Sequence, residues 1–165
     1  MTAARSATVH ASAVLVGARA VLIRGPSGAG KSRLALELIE AARNGALLFA
    51  KLVGDDRVHL EAAGGRLLVR PADALKGLIE LRGGGILQRD YEACAVVGLV
   101  VDLAAGDAER LPERGEVAIA GIKIPRLAVA PGMAALPAVL AMVTSCGDIG
   151  VPEASYCGRE SRIGD

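Results

Sequence analysis

Val21-Leu22-Ile23-Arg24-Gly25-Pro26-Ser27-Gly28-Ala29-Gly30-Lys31-Ser32-Arg33-Leu34 is the stretch that decides the fold. It opens as a short apolar strand, breaks into glycines, and then changes to helical spacing. Leu34, Leu38, Ile39 and Ala42 fall on one face, while Arg33, Glu37, Glu40 and Arg43 point away. Gly25 to Ser32 fits GxxxxGKS, with a strand before it and an amphipathic helix after it. The glycines allow successive backbone N–H groups to point inward at phosphate oxygens. The helix N-terminus adds partial positive charge to the same place. Lys31 can reach β- and γ-phosphates and the Ser32 hydroxyl can hold Mg²⁺. The candidate nucleotide cradle is therefore Gly25, Pro26, Ser27, Gly28, Ala29, Gly30, Lys31 and Ser32.

Working outward, Ala13 to Val16 and Ala20 to Arg24 read as a hairpin about Gly17. Asn44-Gly45 ends the helix. Ala46 to Val53 reads as a strand that stops at Gly54-Asp55-Asp56, and Gly64-Gly65 as the turn of a second hairpin. Leu78 to Arg82 alternates and runs into Gly83-Gly84-Gly85. Ala95 to Leu103, Val117 to Ile124 and Leu127 to Ala130 read as strands, and Ala134 to Val143 as a closing helix. Strands outnumber helices, which predicts an α/β or α+β chain on a mixed sheet. Residues 1–146 are expected to form one domain, and 147–165, rich in Gly and polar residues, a frayed tail.

Composition excludes several classes. The 165 residues are 52% hydrophobic and 22% charged, enough for a core and against disorder. Only Phe49, Tyr91 and Tyr156 are aromatic, so stacking platforms for single-stranded nucleic acid are lacking. The net charge of +1 gives no field to draw the chain onto nucleic acid or an anionic membrane. Leu127 to Gly147 carries no charge, but Pro131, Gly132 and Pro137 interrupt it, which argues against a membrane span. Cys94, Cys146 and Cys157 make no CxxC pair, as expected of thiols in a reducing cytoplasm. A cytoplasmic location follows.

Further chemistry-bearing residues lie after the next strands. Asp55 and Asp56 stand where a strand-end acid binds Mg²⁺ beside a phosphate loop; one can attend the metal while the other accepts a proton. A solvated acidic turn is the competing reading. Alternation puts Glu80 and Arg82 on one face of a strand, suited to metal and phosphate, or to a plain exposed ion pair. His10 has no local support of its own, and Arg110 and Arg114 lie in a polar loop. Three function classes remain open on these residues: a kinase acting on a protein, a small-molecule kinase with an arginine lid, and a nucleotide-sensing module without catalysis.

From Thr8 to Val143 the chain resembles the C-terminal catalytic domain of bacterial HPr kinase/phosphorylase. The resemblance is carried by Val9-His10-Ala11, by Lys31-Ser32 with Ala35-Leu36-Glu37-Leu38, by Leu52-Val53-Gly54-Asp55-Asp56-Arg57, and by Leu78-Ile79-Glu80-Leu81-Arg82-Gly83-Gly84-Gly85-Ile86. It implies a P-loop-containing mixed sheet of the HPr kinase and phosphoenolpyruvate carboxykinase type. It also implies an ATP- and Mg²⁺-dependent kinase acting on a serine of HPr, or an HPr-like carrier of the phosphotransferase system, and a hexameric homo-oligomer. Carried over position by position, His10 matches an active-site histidine, Lys31 the loop lysine and Ser32 a magnesium ligand. Asp56 matches the base that takes the serine proton, and Glu80 a further magnesium ligand; Asp55 keeps the metal-binding role given it by its place at the strand end. Glu109-Arg110-Leu111 matches the stretch that carries a catalytic arginine. A short form without the family's N-terminal domain is expected, and the sequence departs from the family by Gly84 between the signature glycines. It departs also at Pro131-Gly132-Met133-Ala134, where the family shows a PGRN-like loop linked to dephosphorylation. Weakened phosphorylase activity is the expectation.

Overall fold

The computed structural model describes residues 7–108 and 115–145. The expected tail, 147–165, lies outside the described residues, as does Arg110. The chain begins with β1 (Thr8–Val9), β2 (Ser12–Val16) and β3 (Arg19–Arg24), followed by α1 (Lys31–Arg43) and β4 (Ala50–Gly54). Next come β5 (Val58–Ala63), β6 (Arg66–Pro71), a 3₁₀ turn at Asp73–Leu75, β7 (Leu78–Leu81) and β8 (Gly85–Gln88). The described part closes with β9 (Ala95–Asp102), β10 (Gly115–Ile119), β11 (Ile122–Ala128) and α2 (Leu136–Ser145). Among the described residues no helix is long and apolar enough to cross a membrane.

The main sheet runs β1-β5-β6-β9-β3-β2-β4, with β11 attached to β9 and β10 to β11. It is mixed, as expected: β9 is parallel to β3 and to β11, while the other pairings are antiparallel. One edge of β9 is shared, its start pairing with β6 at Val96 and its end with β11 from Val100.

Alternation divides the apolar residues between two cores. Val21 and Ile23 of β3 face α1 and α2, while Ala20 and Leu22 face a second core closed by β5, β6 and β11. In β9 the parity changes: Ala95 and Val97 share the second core with Val100, while Leu99 and Val101 join the first. The register slips there, from Ala20↔Val97 to Val21↔Leu99, so Gly98 is an extra residue in β9. One unpaired residue flips the faces of all that follow, and the sheet curls.

Most expected elements are present. The β2–β3 hairpin turns at Gly17, and α1 ends with Asn44 N–H donating to Glu40 O (2.9 Å). Three expectations need correction. The strand expected from Ala46 starts only at Ala50, because Ala46 and Leu47 N–H donate to Ala41 O and wrap the chain round the helix end. Leu47 is thereby buried and Leu48 fully exposed. The strand expected over Val117 to Ile124 is two strands, since Ala120 (φ 50°) and Gly121 (φ 78°) make a two-residue hairpin turn. The separate strand expected over Leu127 to Ala130 is the end of β11, which runs unbroken over Ile122–Ala128. The glycine run after Leu81 turns straight back into β8, which pairs with β7.

Candidate active site at the glycine-rich loop

The loop Gly25–Ser32 leaves β3 at the end of the sheet where β4 and β9 also end. A Cβ on Gly25 would sit 3.0 Å from the Leu103 carbonyl oxygen, and φ is 154°, so only glycine fits against the end of β9. Leu34 N–H donates to Gly30 O (2.9 Å) and starts α1, which leaves the N–H groups of the loop and first turn unused by the helix. Lys31, 6% exposed, folds over this loop: its Nζ donates to Gly25 O (2.9 Å) and Pro26 O (3.0 Å). Burial holds the Lys31 ammonium below its ordinary pKa, against the opposing pull of Asp56 and Asp55.

The two neighbouring acids have different surroundings. Asp55, at the end of β4, is buried at 2% exposure and collects donors from three elements. Ser12 Oγ donates to its Oδ1 (2.5 Å), Ser32 Oγ lies 2.8–2.9 Å from both oxygens, and Glu80 N–H donates to Oδ2 (3.3 Å). Asp56 takes φ 64°, a conformation that Asp tolerates better than most residues, and emerges half-exposed. Its Oδ1 lies 3.2 Å from His10 Nε2. One carboxylate faces the helix start and the other an imidazole.

Of the residues singled out from sequence, His10, Lys31, Ser32, Asp55, Asp56 and Glu80 come together at this loop. Glu80 joins through its backbone N–H; its side chain is exposed, and the described residues hold no cluster of three or more His, Cys, Asp or Glu suited to a metal. A hard cation would find Ser32 Oγ and the Asp55 carboxylate already together, both oxygen donors. Arg82 makes no ion pair with Glu80; its guanidinium lies against Gly28 instead.

Two features were not read from sequence. Ser12 is wholly buried against Asp55, and the only signal was a polar residue opening an apolar strand. The second feature is a chain of charges across three strand ends beside the loop. Arg24 binds Asp102 through two bonds (2.7 and 2.8 Å), and Arg126 bridges Asp102 (2.5 Å) to Asp107 (2.7 and 3.0 Å). Burial alone would raise the Asp102 pKa, but the hydrogen bonds from Arg24 and Arg126 outweigh it and hold the carboxyl below the usual range. Arg126 is held above its ordinary value, chiefly by the hydrogen bonds to Asp107 and Asp102.

A curled mixed sheet, with a glycine loop and acids gathered at its strand ends, defines a mixed α/β domain. Residues 1–135 match the model of the HPr Serine kinase C-terminal domain, and the chain belongs to that family. The HPr kinase/phosphorylase of Streptococcus thermophilus is 35% identical over 76% of this chain, and that of Streptococcus uberis 34% over the same share. The chain spans about two fifths of the length of these relatives, 43% in both cases. The solved Hpr(Ser) kinase/phosphatase from Coxiella burnetii superposes with a TM-score of 0.70, covering 85% of this chain and 95% of the other at 24% identity, and so shares the fold.

Proposed function

We propose that this protein is an ATP- and Mg²⁺-dependent kinase that phosphorylates a serine of HPr or an HPr-like carrier. The observation that carries the reading is the division of labour between Asp55, turned to Ser32, and Asp56, turned to His10. A metal-bound nucleotide and an acceptor hydroxyl need two such carboxylates, one on each side of the transferred phosphoryl group. The family relatives are named for HPr, which makes its serine the first acceptor to test.

The residues fit the nucleotide. Gly25 and Gly28 take φ values open to glycine, Lys31 is a buried cation folded on the loop, and Ser32 and Asp55 offer paired oxygens. Ser32 and Asp55 would hold Mg²⁺ with Glu80 beside them; when bound, the ion neutralises charge on the β- and γ-phosphates. Lys31 leaves the Gly25 and Pro26 carbonyls to meet the same phosphates. Asp56 accepts the proton of the acceptor serine, and His10 orients its carboxylate. The bond from the γ-phosphorus to the bridging oxygen breaks, a bond to the serine oxygen forms, and ADP leaves. Such transfer depends on positioning and electrostatics more than on covalent help from the protein.

ATP labelled at the γ-phosphate, incubated with this protein, Mg²⁺ and HPr from the same organism, tests the proposal. Label on HPr that survives acid, as a serine ester does, is expected. Turnover of a metabolite with no protein labelled would favour a small-molecule kinase instead.

A further inference from the structure

The β7–β8 hairpin crosses the mouth of the site and is anchored at three levels. At its base Arg89 N–H donates to Gly77 O (2.7 Å), and midway Ile79 is wholly buried in the helix-side core. Beside that, Glu80 N–H is tied to Asp55. Leu81 packs on the same core, and Gly84 N–H donates back to Leu81 O (3.0 Å) to close the turn. Arg82, the first residue of that turn, therefore has a fixed backbone.

Its side chain lies across the glycine-rich loop. A Cβ built on Gly28 would meet Arg82 Nη2 at 3.2 Å, Nη1 at 3.4 Å and Cζ at 3.5 Å. Near-equal distances to three guanidinium atoms mean that the group lies over Gly28 and fills the space a side chain there would occupy. No ion pair or hydrogen bond of the Arg82 side chain exists among the described residues. Arg24, Arg33, Arg43, Arg70 and Arg126 hold carboxylates, whereas Arg19, Arg57, Arg66 and Arg89, like Arg82, hold none among the described residues; of these five, Arg82 is the one whose guanidinium lies on the glycine-rich loop. An arginine held in place with its planar donors unspent is suited to bind an anion that comes from outside the chain.

The location narrows which anion. Ser32 and Asp55 mark one pole of the site, and the Gly28 backbone with Arg82 marks the other. The same hairpin joins them, since Glu80 of β7 touches Asp55 and Arg82 of the turn touches Gly28, two residues apart. We infer that Arg82 is a ligand for the terminal phosphate of a bound nucleoside triphosphate, and so sets the preference for tri- over diphosphate. This rests on the reading of the loop as a nucleotide site. Gly28 is then required as the residue that leaves room for the guanidinium.

Calorimetric titration of the wild-type chain, Arg82→Ala and Arg82→Lys with ATP and with ADP, each in Mg²⁺, tests this without any acceptor. Arg82→Ala is expected to bind ATP about 10- to 100-fold more weakly, as for loss of a charged hydrogen bond, while ADP affinity stays within about twofold. Arg82→Lys should recover part of the ATP affinity. Equal weakening of ATP and ADP, or no change in either, overturns the inference and leaves the nucleotide reading standing. A wild-type chain that binds neither nucleotide overturns the nucleotide reading and this inference with it. Arg82 is exposed in a turn, so both variants should keep the fold, and matching melting temperatures for the three chains check it.

Discussion

His10 Nε2 and Asp56 Oδ1 lie 3.2 Å apart across 46 positions of sequence, joining the approach to β2 with the end of β4. Asp55, one residue away from Asp56, is turned to the opposite side, into Ser12 and Ser32. Neighbouring side chains of extended chain point to opposite sides, and the bend after β4, with Asp56 at φ 64°, carries that divergence past the strand end.

The first prediction concerns that pair. Asp56→Asn keeps the shape and removes the proton acceptor, so phosphoryl transfer should fall about 10²–10⁴-fold while ATP binding persists. Single-turnover transfer, measured beside nucleotide titration, checks both halves. Full activity in the variant would move the base elsewhere, with Asp55 as the first candidate.

Ser12→Ala removes one of the donors that satisfy a buried carboxylate. A stability loss of about 1–3 kcal/mol is expected in urea unfolding, since the buried Asp55 Oδ1 loses the Ser12 donor and keeps only Ser32 Oγ. Ser12→Thr, which retains the hydroxyl, should be milder in hydrogen bonding but crowded in a wholly buried position.

Asp102 links Arg24 and Arg126 beneath the loop, and its ionised form is favoured by folding. Its folded pKa lies below the unfolded value of about 4, so its stabilisation is complete above that pH and is lost as pH falls through the folded value. Asp102→Asn should therefore cost about 1–3 kcal/mol at neutral pH. The gap between wild type and variant should close in acid. Melting curves from pH 7 down to 3 follow it, and a gap independent of pH would contradict the assignment.

Phosphorolysis should be weak. Inorganic phosphate and phosphoserine are both anions, and their approach must be offset by cations or donors. The turn after β11 closes with Met133 N–H donating to Ala130 O, and Met133 is an exposed thioether with no charge to offer. Pyrophosphate release from phosphorylated HPr in millimolar phosphate should be far slower than the kinase reaction. Comparable rates would show that other groups supply the charge.

Local sequence carried the hairpin at Gly17, the loop and α1, because each depends on nearest-neighbour spacing and on glycines in turns. It also placed Asp55 beside the loop, at the end of the next strand, whereas Glu80 was put with Ser32 only by the family resemblance. It did not show the parity change at Gly98, since a bulge is visible only when the partner strand is known. The Ala120-Gly121 turn was hidden by an alanine in a left-handed position, where glycine or asparagine is the usual signal. The Arg24–Asp102–Arg126 chain joins residues up to 102 positions apart through the parallel pairing of β9 with β3 and β11, and only the sheet order brings them together. Likewise, alternation put Arg82 beside Glu80, but the hairpin turn carries its guanidinium to Gly28.

The most direct test of the account is to map phosphate on HPr after incubation with ATP, Mg²⁺ and this protein, using Asp56→Asn in parallel. The account predicts one modified serine with the wild-type chain and a rate lower by about two orders of magnitude or more with the variant. HPr left unmodified by a wild-type chain that binds ATP, or modified equally by both chains, would contradict it.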